Sequence, residues 1–239
     1  MKALILAGGE GKRFGDLSKI KNKCMTVIKG KPLIEYSLDL AATSNVSEIV
    51  VVVGHKADGI IASYKNRYKG KPLKYVFQSE RKGLVHAIEC AKKAIGKEDF
   101  MLMLGDELMK NPKHDEMIKK YNKEKPFGIC GVMRVKNLNL IRKNYSVFHA
   151  KENIIGALVE KPEKPITNIM GTGNCIFKNE IFYYISQTPI NPKRGEKELP
   201  SLIQCAINNG KLVKSFPICS SYINVNFKDD IKEAERHFY

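Results

Sequence analysis

The residues best equipped for chemistry lie in one glycine-rich run, Ala7-Gly8-Gly9-Glu10-Gly11-Lys12-Arg13, directly after an apolar segment. Glycines let a backbone turn tightly and bring its N–H groups within hydrogen-bonding distance of a phosphate, and Lys12 and Arg13 add positive charge at the same place. The run predicts a polyphosphate cradle. It is not a Walker loop, because Gly11-Lys12 is followed by Arg13 rather than Ser or Thr, and it is not a dinucleotide fingerprint, because Phe14 takes the third glycine position. A second candidate is Asp106, which follows the apolar run Phe100–Leu104 and Gly105. A hard carboxylate facing a polyphosphate suits Mg²⁺, which takes one or two protein oxygens and completes its shell with phosphate oxygen and water.

These groups meet only if the chain folds as alternating strands and helices. Short β-branched runs at Lys2–Ala7, Glu48–Gly54, Leu73–Gln78 and Asp99–Leu104 predict strands. Between them, Leu33–Ala42, Asp58–Arg67 and Leu84–Ile95 carry apolar residues at three- and four-residue spacing and predict helices. This βαβ rhythm implies a Rossmann-like α/β domain with a mixed, mostly parallel sheet covered by helices. Asp106 would then emerge at the carboxyl edge of the sheet, beside the glycine loop, where open α/β sheets bind ligands. After Pro126 the pattern turns strand-like at Gly128–Val135, Tyr145–His149, Ile154–Val159 and Thr172–Phe177. It ends in a helix at Leu199–Asn208, strands at Val213–Pro217 and Tyr222–Asn226, and a last helix from Lys228. No repeat or linker interrupts it, so one domain is expected over residues 1–239, with 1–125 as a nucleotide-binding half and 126–239 as an acceptor-binding half.

Composition removes several classes. The chain has 239 residues, 43% of them hydrophobic, enough for a real core. No apolar stretch approaches the roughly 18 residues of a membrane-spanning helix, and the amino-terminal run is cut off too early for a signal peptide, so a cytoplasmic protein is expected. The six cysteines form no Cys-x-x-Cys pair and predict buried free thiols. A net charge of +16 invites a nucleic-acid reading. The lysines are dispersed, however, with no aromatic RNA-binding motif and no Cys/His finger. The five histidines, His55, His86, His114, His149 and His237, share no cluster and are expected at the surface or in packing roles.

The glycine run belongs to a longer pattern. Leu6-Ala7-Gly8-Gly9-x-Gly11-x-Arg13 is followed ten residues later by Lys23, and Lys31-Pro32-Leu33-Ile34 opens a helix. Further along stand Gln78-Ser79-Glu80-Arg81-Lys82-Gly83-Leu84, Leu104-Gly105-Asp106, Glu160-Lys161-Pro162, Arg194-Gly195-Glu196-Lys197-Glu198 and Asn224-Val225-Asn226. In this order the motifs resemble those of the sugar-1-phosphate nucleotidylyltransferases, in particular the glucose-1-phosphate thymidylyltransferase and uridylyltransferase group, in its short form without a carboxyl-terminal β-helix. The resemblance implies that Leu6, Ala7, Gly8, Gly9, Gly11, Lys12, Arg13, Lys23, Gln78 and Gly83 bind the nucleoside triphosphate. It implies that Ser146, Glu160, Lys161, Gly173 and Asn174 bind the acceptor, that Asp106 and Asn226 hold Mg²⁺, and that Arg13, Lys23 and Lys161 carry catalysis. Gln78 can donate and accept on one amide, which suits uracil or thymine and, by rotation, cytosine.

The implied reaction is attack by a phosphate oxygen of a sugar 1-phosphate on the α-phosphorus of a pyrimidine nucleoside triphosphate, with loss of pyrophosphate. The nucleophile is already anionic, so alignment and charge neutralisation suffice. The expected partners are those two substrates, or another small phosphorylated acceptor, with neither nucleic acid nor membrane; a homo-oligomer stays open. Four positions depart from the pattern. Asparagines stand in the last metal motif where aspartate is usual, with Asn226 preferred as the ligand and Asn224 second. Ser146 replaces a glycine against the sugar. Asn22 replaces a proline, which would loosen the loop before Lys23. The alternatives are a cytidylyltransferase for phosphocholine, a polyol phosphate or a phosphonate, and a non-catalytic regulatory module on the same fold.

Overall fold

The computed structural model describes residues 1–11 and 21–237. Strand β1 (Lys2–Ala7) is central, and its alternation sorts the core into two faces. Leu4 and Leu6 point into one hydrophobic cluster, while Ala3, Ile5 and Ala7 point into the other. On either side of β1 lie β2 (Ile49–Val53) and β4 (Phe100–Leu104), both parallel to it, and β3 (Lys71–Phe77) continues the parallel block beyond β2. The chain therefore moves outward from β1 through β2 to β3 and returns to β4 on the opposite side. That reversal makes the carboxyl ends of β1 and β4 a topological switch point.

Five further strands extend the sheet: β6 (Gly128–Arg134), β7 (Tyr145–Lys151), β8 (Ile154–Glu160), β9 (Ile169–Phe177) and β10 (Val213–Pro217). Strand β9 lies antiparallel between β4 and β6, and the two-residue strand Arg67–Tyr68 closes the far edge of a ten-stranded mixed sheet. The parallel part is thus confined to β1–β4 and the β6–β10 pair. Strand β5 (Glu107–Lys110) leaves the main sheet directly after Asp106 and pairs antiparallel with β11 (Ser221–Asn224), which the sequence predicts as a strand reaching Asn226.

Helices α1 (Leu33–Thr43), α2 (Ala57–Tyr64) and α4 (His114–Glu124) cover one face of the sheet, and α3 (Gly83–Ile95) and α5 (Leu199–Asn208) cover the other. In α3 the buried residues Val85, Ile88, Ala91 and Ile95 recur at three- and four-residue spacing, the stripe a helix needs to lie on a sheet. Helix α4 is not anticipated by the sequence reading, because its apolar side is reduced to Met117, Ile118 and Tyr121 amid charged residues. The last helix, α6 (Lys228–His237), begins at the predicted residue. Among the described residues, no helix is long and apolar enough to cross a membrane.

Candidate active site

A cleft of about 430 Å³ opens at the switch point. Its floor is the turn after β1, where Leu6, Gly8 and Gly9 line the opening, and the end of β4, which delivers Leu104 and Asp106. Gln78 and Gly83 enter from the turn joining β3 to α3, while Glu160, Lys161 and Gly173 enter from the antiparallel half of the sheet. Residues spread over most of the chain therefore line one cleft. Gly105 donates its backbone N–H to Leu6 at 2.9 Å, so the metal candidate and the glycine loop are held edge to edge. Arg13 and Lys12 lie outside the described residues.

Lys23 is nine-tenths buried behind this floor, on a single 3-10 turn (Lys23–Met25). Its ammonium forms a close ion pair with Asp106 and lies 3.4 Å from Asn226 Oδ1. Two hard oxygens, one carboxylate and one amide, thus converge on a single point. Asn226 is held in register because the Asp230 carboxylate accepts both the Asn226 and Phe227 backbone N–H groups at 2.7 Å, capping α6. Asn224 is nearer the cleft and lines it, and its amide oxygen is buried without a hydrogen-bond partner. Cys24, next to Lys23, is an inert structural thiol: burial and, secondarily, the Asp106 charge push it up to about 12.

Asn22 tightens the loop that its replacement of proline is expected to loosen. Its amide donates to the Ala7 and His55 carbonyls at 3.0 and 2.7 Å, and its oxygen accepts the Cys24 N–H at 2.8 Å. Proline would supply rigidity but none of the three bonds. Asn22→Ala strands buried carbonyls at the foot of the glycine loop and is expected to lower stability by about 2–3 kcal/mol. Thermal unfolding should then shift down by roughly 4–10 °C.

The wall opposite the glycine loop is a charged lattice. Lys161 pairs with Glu160 at 2.6 Å, and Arg194 reaches Glu160, Glu196 and Glu198 at 3.4, 2.5 and 2.9 Å. The Glu198 contact is an ion pair without hydrogen-bond alignment. Burial, reinforced by Glu160, raises the Glu198 carboxyl above its ordinary value. Lys161 itself adopts a left-handed backbone at φ 40°, fixed by its N–H bond to the Asn144 carbonyl at 2.8 Å. Gly83, packed against this wall, has φ +87°, and a Cβ there would sit 2.4 Å from the Glu196 carboxylate. Only glycine lets the β3–α3 turn close on this wall.

Of the sequence-predicted residues, Ala7, Gly11, Ser146 and Asn174 stand behind the cleft rather than on it. Gly11 lies against the Lys23 side chain. Ser146 is fully buried on β7 with an unpartnered hydroxyl, and it is the adjacent Tyr145 that lines the cleft. One residue on a strand reverses the face a side chain takes, which is why the motif position and the wall position differ. Asn174 is buried between the Glu107 carboxylate, 2.5 Å from its nitrogen, and His114 Nε2, 2.8 Å from its oxygen.

Glu107, which the sequence reading passes over, is the largest addition. It is 4% exposed and its carboxylate accepts the Gly173 N–H at 3.1 Å, the Asn174 amide and the Tyr222 hydroxyl at 2.5 Å. The sequence offers a second acidic residue directly beside Asp106 but no strand-like alternation, since Glu107-Leu108-Met109-Lys110 places two apolar residues side by side. Gly173 must be glycine here, since a Cβ would lie 2.4 Å from Leu104 and 2.7 Å from the Glu107 carboxylate.

Comparison with known proteins agrees with this architecture. Residues 2–221 match the nucleotidyl transferase family. The chain is 33% identical over 238 residues to the UTP–glucose-1-phosphate uridylyltransferase AglF of Haloferax volcanii, spanning 99% of this chain and 96% of that protein. It is 27% identical to a glucose-1-phosphate thymidylyltransferase of Streptomyces griseus, where it spans 99% of this chain but 65% of the relative, just under two thirds. A solved UDP-glucose pyrophosphorylase complexed with UDP-glucose superposes with a TM-score of 0.89 over 100% of this chain and 98% of that one, at 24% identity, a likeness of fold. A family match running almost end to end, on a sheet that opens its cleft at the switch point, makes this chain a nucleotidyltransferase and a member of the nucleotidyl transferase family.

Proposed function

We propose that this chain transfers a nucleoside monophosphate from a pyrimidine nucleoside triphosphate to a sugar 1-phosphate. The observation that carries the reading is the convergence of two unlike walls on one cleft. Gly8, Gly9 and Gln78 form one side, Glu160 and Lys161 the other, with Asp106 between them. In the reaction an oxygen of the sugar phosphate forms a bond to the α-phosphorus while the bond to the bridging β-phosphate oxygen breaks, and pyrophosphate leaves with that electron pair. The glycine-loop N–H groups bind the triphosphate, Lys161 draws in the acceptor phosphate, and Glu160 accepts from a sugar hydroxyl. Arg13 and Lys12, outside the described residues, would add charge along the triphosphate.

The residues present fit Mg²⁺. Asp106 and Asn226 both direct hard oxygens at the Lys23 ammonium, a pair of oxygens already gathered around one positive charge, and Asn224 adds a buried, unpartnered amide oxygen. Among the described residues, no group of three or more His, Cys, Asp or Glu could hold a metal, so such an ion would share its shell with substrate phosphate. Bound there, it would supply charge neutralisation on the phosphoryl oxygens. The relatives' names point to UTP or dTTP with glucose 1-phosphate as the first pair to try.

The test is pyrophosphate release with Mg²⁺ across CTP, UTP, dTTP, GTP and ATP, against sugar 1-phosphates, phosphocholine and polyol phosphates. Turnover should require one pyrimidine triphosphate and one sugar 1-phosphate, and Lys161→Ala should raise KM for the acceptor by roughly 10–100-fold, as expected when a charge-assisted contact is lost. Turnover only with phosphocholine or a polyol phosphate would move the assignment to a cytidylyltransferase. Silence across the panel from a folded chain would overturn the catalytic reading.

A further inference from the structure

One histidine beside the cleft belongs to none of the motifs above. The Gln78 amide nitrogen sits between two groups: it donates to the Gly83 carbonyl at 3.0 Å and lies 3.1 Å from Nδ1 of His86, in the first turn of α3. The Gly83 carbonyl is an acceptor only, so it fixes which end of the amide is nitrogen. His86 agrees with that choice. Its Nε2 lies 3.7 Å from Cys90 Sγ, one helical turn on, and an Nε2–H directed at the sulfur leaves Nδ1 as the acceptor that the second Gln78 N–H needs. With both N–H groups committed, the amide presents only its carbonyl. That oxygen lies over the glycine loop, so close that a Cβ on Gly8 would come within 3.1 Å of it, and no described residue donates to it.

We propose that His86 is a positioning residue for the base: it holds the Gln78 amide with its carbonyl toward the cleft, so that the site selects uracil or thymine over cytosine. The proposal rests on the reading of this cleft as a nucleoside triphosphate site. Uracil and thymine carry a ring N–H, which a fixed carbonyl accepts. Cytosine carries a lone pair on that nitrogen, which the carbonyl repels. Its exocyclic amine could reach Gln78 only if the ring shifted relative to the phosphates on Gly8 and Gly9. A freely rotating glutamine would serve all three bases, and His86 removes that freedom. Discrimination then follows from a polar group that the wrong base leaves unpaired.

The test measures UTP and CTP affinity by calorimetry, with Mg²⁺, for the full-length wild type, His86→Leu and His86→Asn, with pyrophosphate release followed in parallel. The wild type should bind UTP at least about 30-fold tighter than CTP. His86→Leu should cut that ratio by about tenfold, chiefly by weakening UTP, the scale of one buried hydrogen bond. His86→Asn, whose side-chain oxygen can accept the same N–H, should restore the ratio to within about threefold. A ratio unchanged in His86→Leu, or a wild type that prefers CTP, overturns the proposal. A binding ratio that follows His86 without turnover of any triphosphate sustains it while refuting the catalytic reading. Binding of neither nucleotide overturns both.

Discussion

Asp106→Asn is expected to lower kcat/KM for pyrophosphate release by about a thousandfold, about 4 kcal/mol of transition-state stabilisation. The substitution keeps the shape of the side chain and removes only its charge. Among the described residues that charge pairs with the Lys23 ammonium, which also lies 3.4 Å from Asn226. The carboxylate therefore serves two ends: it anchors Lys23 at the foot of the glycine loop, and it offers an anionic oxygen to the proposed cation at the switch point. An amide at 106 removes that charge, and Asn224 and Asn226 offer the proposed cation neutral oxygens in place of it. Metal affinity should collapse accordingly, whereas triphosphate binding without metal, proposed to rest on the glycine loop, should change by less than about tenfold. Asn226→Ala removes one neutral ligand and should cost roughly tenfold. Steady-state rates with Mg²⁺, together with Mn²⁺ binding to both variants, check this. Asp106→Asn retaining activity within tenfold of wild type would remove Asp106 from the metal site.

How far the sequence predicts these features depends on how local their causes are. Strand β1 is read with its observed ends, Lys2 and Ala7, because a run of buried apolar residues stopped by two glycines has few other solutions. The convergence of Gly8, Gln78, Asp106 and Lys161 on one cleft follows from strand order, and the βαβ rhythm with the family motifs implies that order. Other features come from pairings that no local pattern announces. Glu107 reads as an ordinary surface acid beside Asp106, and it is buried because β5 crosses to pair with β11, more than 100 residues away. The roles of Asn22 and His86 are likewise set by partners from other elements: the Ala7 and His55 carbonyls in one case, the Gln78 amide in the other. Ser146 illustrates the converse, a motif position that aligns in sequence while the pleat turns its side chain away from the cleft.

Glu107→Gln is expected to raise stability at alkaline pH, by about 3–5 kcal/mol in the metal-free protein. Burial, opposed by its hydrogen bonds and reinforced by the Asp106 charge, lifts the Glu107 carboxyl from 4.5 to about 8. A carboxyl whose folded value lies above its unfolded one holds its proton more tightly in the fold. Its favourable share is therefore complete below about 4.5 and is lost as pH rises toward 8, each pH unit between the two values being worth about 1.36 kcal/mol. The surroundings can accept the protonated acid. If the Asn174 amide turns over, its oxygen takes the acid O–H and its nitrogen donates to His114 Nε2, the ring that burial keeps neutral. Glutamine offers an N–H at the same place and keeps an oxygen for Gly173 and Tyr222, without the charge. Wild type and Glu107→Gln should therefore unfold within about 1 kcal/mol of each other near pH 5 and diverge steadily above it, wild type falling. Thermal melts from pH 5 to 9 in the presence of chelator read this directly. Parallel curves would mean that the three donors around Glu107 stabilise a carboxylate throughout, and that two negative charges stand side by side at the end of β4.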